Sequence, residues 1–253
     1  MISALTPRHA ASGFTLIELA VSMFIISLLL GAVLVPLATQ VEQRQISETQ
    51  KTLDDTKEAL MGFALANGYL PCPDTTGDGI SDPATSTATC PNAEGFLPWA
   101  TLNIGQSDAW GNRLRYRISP EFSSPPSAPC TLGDDRLGLC KTGNITVNTR
   151  NTAKATQALA SNVVAVIISH GKNGYGATST DGTVRPTPPA ANVDETSNAD
   201  PPGTIFLSRT NSASSGTCSD TVVGQPYCEF DDIVAWVSSY MLFNRMVAAG
   251  KLP

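Results

Sequence analysis

Histidine is almost missing from this chain: His9 and His170 are its only two among 253 residues. That leaves little material for a histidine-built metal centre or a Ser–His nucleophile. Ser169 precedes His170, but neighbours on a strand point to opposite faces, so the pair does not read as catalytic. A histidine held by hydrogen bonds in a loop is the reading preferred here. No cysteine pair has the CxxC spacing of a zinc site. The turn from Gly171 to Gly176 lacks the Gly-Lys-Ser/Thr ending of a phosphate loop. Charged residues make up only 15% of the chain and leave a formal net charge of −6, which argues against a nucleic-acid binder. What is plentiful instead is Gly, Pro, Ser, Thr and Asn, the composition of a loop-rich β or α+β domain working outside the cytosol. No nucleophile–base pair or metal cluster can be assembled from it, so the chain reads as a non-enzyme.

The six cysteines fall into three local pairs, Cys72/Cys90, Cys130/Cys140 and Cys218/Cys228. An even count at short separation, behind a translocating helix, reads as disulfides of an oxidising compartment. The nearest-neighbour pairing is preferred, each bridge being worth about 2–4 kcal/mol. Six reduced, buried thiols are the alternative.

The run Ser12-Gly13-Phe14-Thr15-Leu16-Ile17-Glu18-Leu19 opens an apolar stretch that reaches Leu37. An ordinary secretory signal is cut after its apolar core, so the core is lost. Here a small residue followed by an aromatic lies before the core, and a cut between them keeps it. Residues 14–37 as a helix span about 36 Å, enough to cross a hydrocarbon core of roughly 30 Å. Arg8 and His9 precede the span, which by the positive-inside tendency puts the N-terminus in the cytoplasm. Glu18 is the one formal charge inside, and an intramembrane acid invites a functional reading with a cation as partner. Snorkelling of its carboxylate to the nearby interface is the structural alternative. Gly31 and Pro36 sit late in the span, where proline loosens the helix.

This arrangement resembles the prepilin leader of type IV pilins and type II secretion pseudopilins. The resemblance implies a cut after Gly13 by prepilin peptidase and methylation of the new amine of Phe14. It also implies that Glu18 recruits the subunit to a neighbour's N-terminus during filament assembly. The resemblance is strong over the first 37 residues, although the proline falls one residue later than usual.

Past Leu37 the helix is predicted to continue to about Ala66. Ile46, Leu53, Leu60 and Phe63 form its apolar stripe, and Asn67-Gly68 with Pro71 stops it. The Cys72–Cys90 loop carries Asp74, Asp78 and Asp82, but Thr76 and Thr85 occupy positions where an EF-hand needs acids, so an Asp-Gly turn is preferred. From Arg113 to Ile118 strict alternation predicts a half-buried strand, with Leu114, Tyr116 and Ile118 inward and three arginines on a solvated face. The preceding Asp108-Ala109-Trp110-Gly111-Asn112 looks like a segment of the major pseudopilin. Val163 to Ile168 is apolar throughout, as in the most buried strand. Residues 181–203 read as a mobile loop or lid, 204–208 as a strand, and Tyr240 to Ala249 as a helix capped by Ser238-Ser239 and ended by Gly250. In the major pseudopilin a loop before a comparable Asp-Ile-x-x-Trp segment holds calcium; the resemblance carries that role to Asp231 and Asp232, with capping of the next element as the alternative. Calcium is the only cofactor suggested.

The expected architecture is α+β: a leader (1–13), a transmembrane half-helix (14–37), a periplasmic half-helix (38–68) and a soluble head (69–253). The helix packs on an antiparallel sheet whose loops are closed by disulfides. The expected function is that of a structural minor pilin or pseudopilin in a type IV pilus or type II secretion pseudopilus. A tip adhesin or substrate-binding module on the same anchor is the rival reading. Expected partners are prepilin peptidase, other pilin or pseudopilin subunits, the inner-membrane assembly platform and the membrane itself; no nucleic acid is implied. The expected location is the inner membrane, single-pass, with the head periplasmic.

Overall fold

The structure is a computed structural model and describes residues 13, 15–84, 90–123, 141–199, 203–213 and 216–252, the side chains of 32–37 excepted. Phe14, Cys130, Cys140 and Asp200 lie outside the described residues. The chain divides into two units, Met1–Arg44 and Gln45–Pro253, and helix α1 (Leu16–Asn67) contributes to both.

In the first unit every described side chain from Leu16 to Gly31 is exposed. Apolar residues therefore face outward all round, without the single stripe of a surface helix. Among the described residues no helix is long and apolar enough to cross a membrane.

In the second unit α1 is amphipathic. Thr49, Leu53, Thr56, Leu60 and Ala64 are all buried, at intervals of three and four that stack one above another. The Thr56 hydroxyl bonds back to the Thr52 carbonyl at 2.7 Å, so its polarity is satisfied within the helix. The helix ends where Gly68 turns left-handed (φ 77°) and donates to the Ala64 carbonyl at 2.8 Å.

Among the described residues six strands form one sheet: β1 (Glu94–Phe96), β2 (Arg115–Ile118), β3 (Ile145–Arg150), β4 (Thr156–Ser169), β5 (Ile205–Leu207) and β6 (Ile233–Ser238). Short helices α2 (Trp99–Leu102) and α3 (Val193–Ala199) lie between strands, and α4 (Ser239–Ala248) follows β6. β4 is the hub and pairs antiparallel with β2, β3 and β6. Val163 faces Ile145 of β3 and Ser238 of β6, so those two strands lie on opposite edges. Just before it, Asn162 takes a positive φ (56°) and the register shifts, a bulge that separates the exposed half of β4 from the buried half.

The sheet is mixed, which corrects the antiparallel expectation: β5 runs parallel to β3, Thr146 facing Ile205 and Asn148 facing Leu207. A parallel pair needs a long crossover, and β4 with the following loop and α3 supplies it. One face of the sheet, with Leu114, Tyr116, Ile118, Val164, Ile167 and Val237, buries Leu53, Leu60 and Ala64 of α1. The other face gathers Ile145, Val147, Val163, Val166, Ile168, Phe206 and Val234.

The three arginines of the Arg113–Ile118 segment are not free in solvent as expected. Arg115 and Arg117 both reach Glu94 on β1, at 2.6 and 3.2 Å, and Arg113 donates to the carbonyls of Gly77 and Thr180. Residues 181–203 are not a spare lid either, because α3 buries Asp194, Glu195 and Asn198. Disulfides join Cys72 to Cys90 and Cys218 to Cys228, with Cα–Cα distances of 5.5 and 4.9 Å. Ser238 caps α4, its hydroxyl accepting from the Met241 amide at 3.2 Å.

Candidate functional site

Two places carry chemistry beyond packing: the start of α1, and a carboxylate cluster where β4, α3 and β6 converge.

At the start of α1, Gly13 is exposed and has nothing within 4 Å of where a Cβ would stand. Glu18 lies on the first turn. Its carboxylate accepts from the Thr15 amide at 2.9 Å and from the Thr15 hydroxyl at 2.8 Å. In return the Thr15 hydroxyl accepts from the Glu18 amide at 3.3 Å. This is a capping box, satisfying helix-end donors reciprocally. The Thr-x-x-Glu spacing of this box is present in the sequence, where the charge of Glu18 is the more conspicuous signal. The two other polar side chains of residues 16–31 also bond inward: the Ser22 hydroxyl to the Glu18 carbonyl and the Ser27 hydroxyl to the Phe24 carbonyl.

The Asp74–Asp82 loop is a backbone-bonded turn. Asp74 accepts from the amides of Thr76, Gly77 and Gly79, and Asp82 from those of Thr75 and Thr76.

The second place brings together Glu195, Asp231 and Asp232, one carboxylate oxygen of each lying within 4.8 Å of the others. Asp231 and Asp232 come from the segment entering β6, as the sequence suggested; Glu195 comes from α3, which the sequence did not reveal. Glu195 accepts from Asn173 Nδ2 at 2.9 Å, Asn192 Nδ2 at 2.8 Å and the Asp231 amide at 3.1 Å. Asp231 accepts from the Asn173 amide at 2.8 Å, and Asp232 from Asn198 Nδ2 at 2.8 Å. Two buried oxygens, Asp231 Oδ1 and Asp232 Oδ1, have no hydrogen-bond partner among the described residues. His170 is fully buried beside them, Nδ1 lying 3.4 Å from Asp232 Oδ1, and neither ring nitrogen has a hydrogen bond there. The expected hydrogen-bonded loop histidine is thus a buried one paired with a carboxylate.

Burial, with like charge close by, holds protons on Glu195 and Asp231 to higher pH than usual. Burial, then the charge of Asp232, pushes Glu195 up to about 8. Burial, reinforced by Asp232 and Glu229 and opposed by the Asn173 amide, pushes Asp231 up to about 6. Gly171 makes this crowding feasible: its φ is +59° and a Cβ there would stand 2.5 Å from Asp231.

Beside the cluster, Asp194 is bound by Arg150 (2.6 Å) and Arg209 (2.8 Å), and Arg209 also reaches Asp220 at 3.1 Å. All four side chains are buried. Asp194 is thereby committed to arginine.

Residues 8–34 match the family model described as the prokaryotic N-terminal methylation motif, the prepilin-type signal of type IV pilins and pseudopilins. No curated protein matches the chain, and no solved structure matches it.

Proposed function

We propose that the chain is a structural minor subunit of a type IV pilus or type II secretion pseudopilus. In this reading prepilin peptidase cuts after Gly13, Phe14 becomes the methylated terminus, and residues 14–37 hold the subunit in the inner membrane until the assembly platform moves it into the filament. The observation that carries it is the methylation motif at residues 8–34. Two features of α1 support it. Leu16 to Gly31 present apolar side chains on every side, which suits lipid or a bundle of neighbouring helices. The polar groups within that run bond to their own chain, as groups without access to water must. Glu18 would exchange its capping contact with Thr15 for the amine of a neighbouring Phe14.

The head would add a divalent-cation site at Glu195, Asp231 and Asp232. All-carboxylate donors suit calcium rather than zinc, and the two buried oxygens without a hydrogen bond are the atoms an ion would satisfy. Its chemistry there would be structural: charge neutralisation that ties α3 to the start of β6.

Intact-mass and N-terminal peptide mass spectrometry on protein from its host's membranes tests the filament reading. A mature chain beginning at N-methylated Phe14 is expected. A retained leader, or a cut after Leu37, would remove the filament role and leave a tethered or secreted binding protein.

A further inference from the structure

β6 has β4 on one edge, and no strand pairs with its other edge among the described residues. In an antiparallel strand alternate residues turn their N–H and C=O groups away from the partner. No backbone or side-chain hydrogen bond to those outward groups is found over residues 233–236 among the described residues. An open edge of this kind is a template for another extended chain.

At β1 and β5 the outer edge is covered by polar partners. At β1, Phe96 exchanges backbone hydrogen bonds with Asp74, at 2.9 and 2.8 Å. At β5, the Asn198 side chain donates to the Leu207 carbonyl at 2.9 Å and accepts from the Leu207 amide at 2.8 Å. β6 has no such cover. Its sequence, Ile-Val-Ala-Trp-Val-Ser, contains no proline, lysine or other charge to repel an incoming strand.

A cavity of about 440 Å³ runs along that edge, within the range of pockets that hold ligands. Residues 233–236 form one wall, and Gln50, Leu53, Asp54 and Lys57 of α1 form the other. Ile233 and Ala235 pack with the α1-side core, while Trp236 packs with the opposite one. Side chains of both faces therefore line the cavity, which places it along the strand edge and not on a face of the sheet. The α1 residues stand opposite the strand edge across the cavity. A cavity walled by a strand edge and a helix suits a single extended segment. Among the described residues the charges lining the groove are Asp54 and Lys57, which neutralise each other at 2.7 Å, so charge matching favours an uncharged occupant. Trp236, half-buried, and Met241, 44% exposed, add the kind of apolar anchor on which binding energy concentrates.

We infer that this groove takes an extended, uncharged segment of a partner polypeptide, with apolar side chains at alternate positions, as an added strand on β6. The full-length protein in detergent is titrated with a capped seven-residue peptide alternating threonine and valine. A second peptide is identical except that alternate backbone amides are N-methylated. Saturable binding by calorimetry is expected, together with slowed amide exchange at residues 233–236. Methylation should weaken binding at least tenfold, because the ladder loses its donors. Gln50→Trp fills the groove from an exposed position and should weaken binding similarly while leaving the melting temperature unchanged. No binding at millimolar peptide, equal affinity for the methylated peptide, or undiminished binding to the folded Gln50→Trp variant would each overturn the inference.

Discussion

At the scale of single residues, the carboxylate cluster depends on one missing side chain. Gly171 is needed twice, for its left-handed backbone and for the space Asp231 occupies. Gly171→Ala should cost about 1–3 kcal/mol, read as a fall in melting temperature of about 2–4 °C per kcal/mol. The cluster also sets a pH dependence. Glu195 titrates at about 8 in the fold against an ordinary 4.5, and Asp231 at about 6 against 3.8. Between those limits the folded chain binds more protons than the unfolded chain, so this contribution is full at acid pH and is lost as pH rises. In chelator-treated buffer the melting temperature should fall from pH 5 to pH 8. Calcium binds the ionised carboxylates, so its stabilisation should be larger at pH 8 than at pH 6 and vanish in Glu195→Gln. A calcium response that survives this substitution would place the ion elsewhere.

At the scale of elements, α3 carries the surprise. Its buried face is polar: Asp194 is matched by two arginines, and Asn198 bonds to Leu207 and Asp232. Asn198→Ala leaves the Leu207 groups and an Asp232 oxygen unsatisfied, so about 1–3 kcal/mol should be lost in urea unfolding. Asp194→Ala strands Arg150 and Arg209, for about 3–5 kcal/mol; a cost under 1 kcal/mol would mean that the arginines reach water instead. Apolar periodicity marks α1, the Leu114–Ile118 alternation and the buried half of β4, because in those elements burial is apolar and leaves its spacing in the sequence. It missed α3 because a core of matched charges and amides has the composition of a loop. The arginines of β2 misled for the same reason, since their partner Glu94 lies on β1, across the sheet.

At the scale of the whole molecule, the two units are built on opposite rules. Residues 16–31 expose apolar side chains, whereas the unit Gln45–Pro253 encloses two apolar clusters on the faces of one sheet. A chain of that design is expected to work only where other helices or lipid cover the first part. Glu18→Val should leave the second unit's melting temperature unchanged and processing intact, yet reduce incorporation into filaments at least tenfold, measured in sheared-filament fractions. Normal incorporation of this variant would separate Glu18 from assembly and leave it as the capping residue of α1.

The sequence by itself determined what local pattern controls: the methylation motif, the long helix and its stop at Gly68, the buried strands, and the Cys72/Cys90 and Cys218/Cys228 pairs. These follow from neighbours along the chain, through spacing, capping and apolar alternation. Only the tertiary structure decided the parallel pairing of β5, the recruitment of Glu195 to Asp231 and Asp232, the burial of His170 and the open edge of β6. Each of these depends on segments far apart in sequence meeting across the sheet, and polar groups that satisfy one another there leave no periodic trace in the chain.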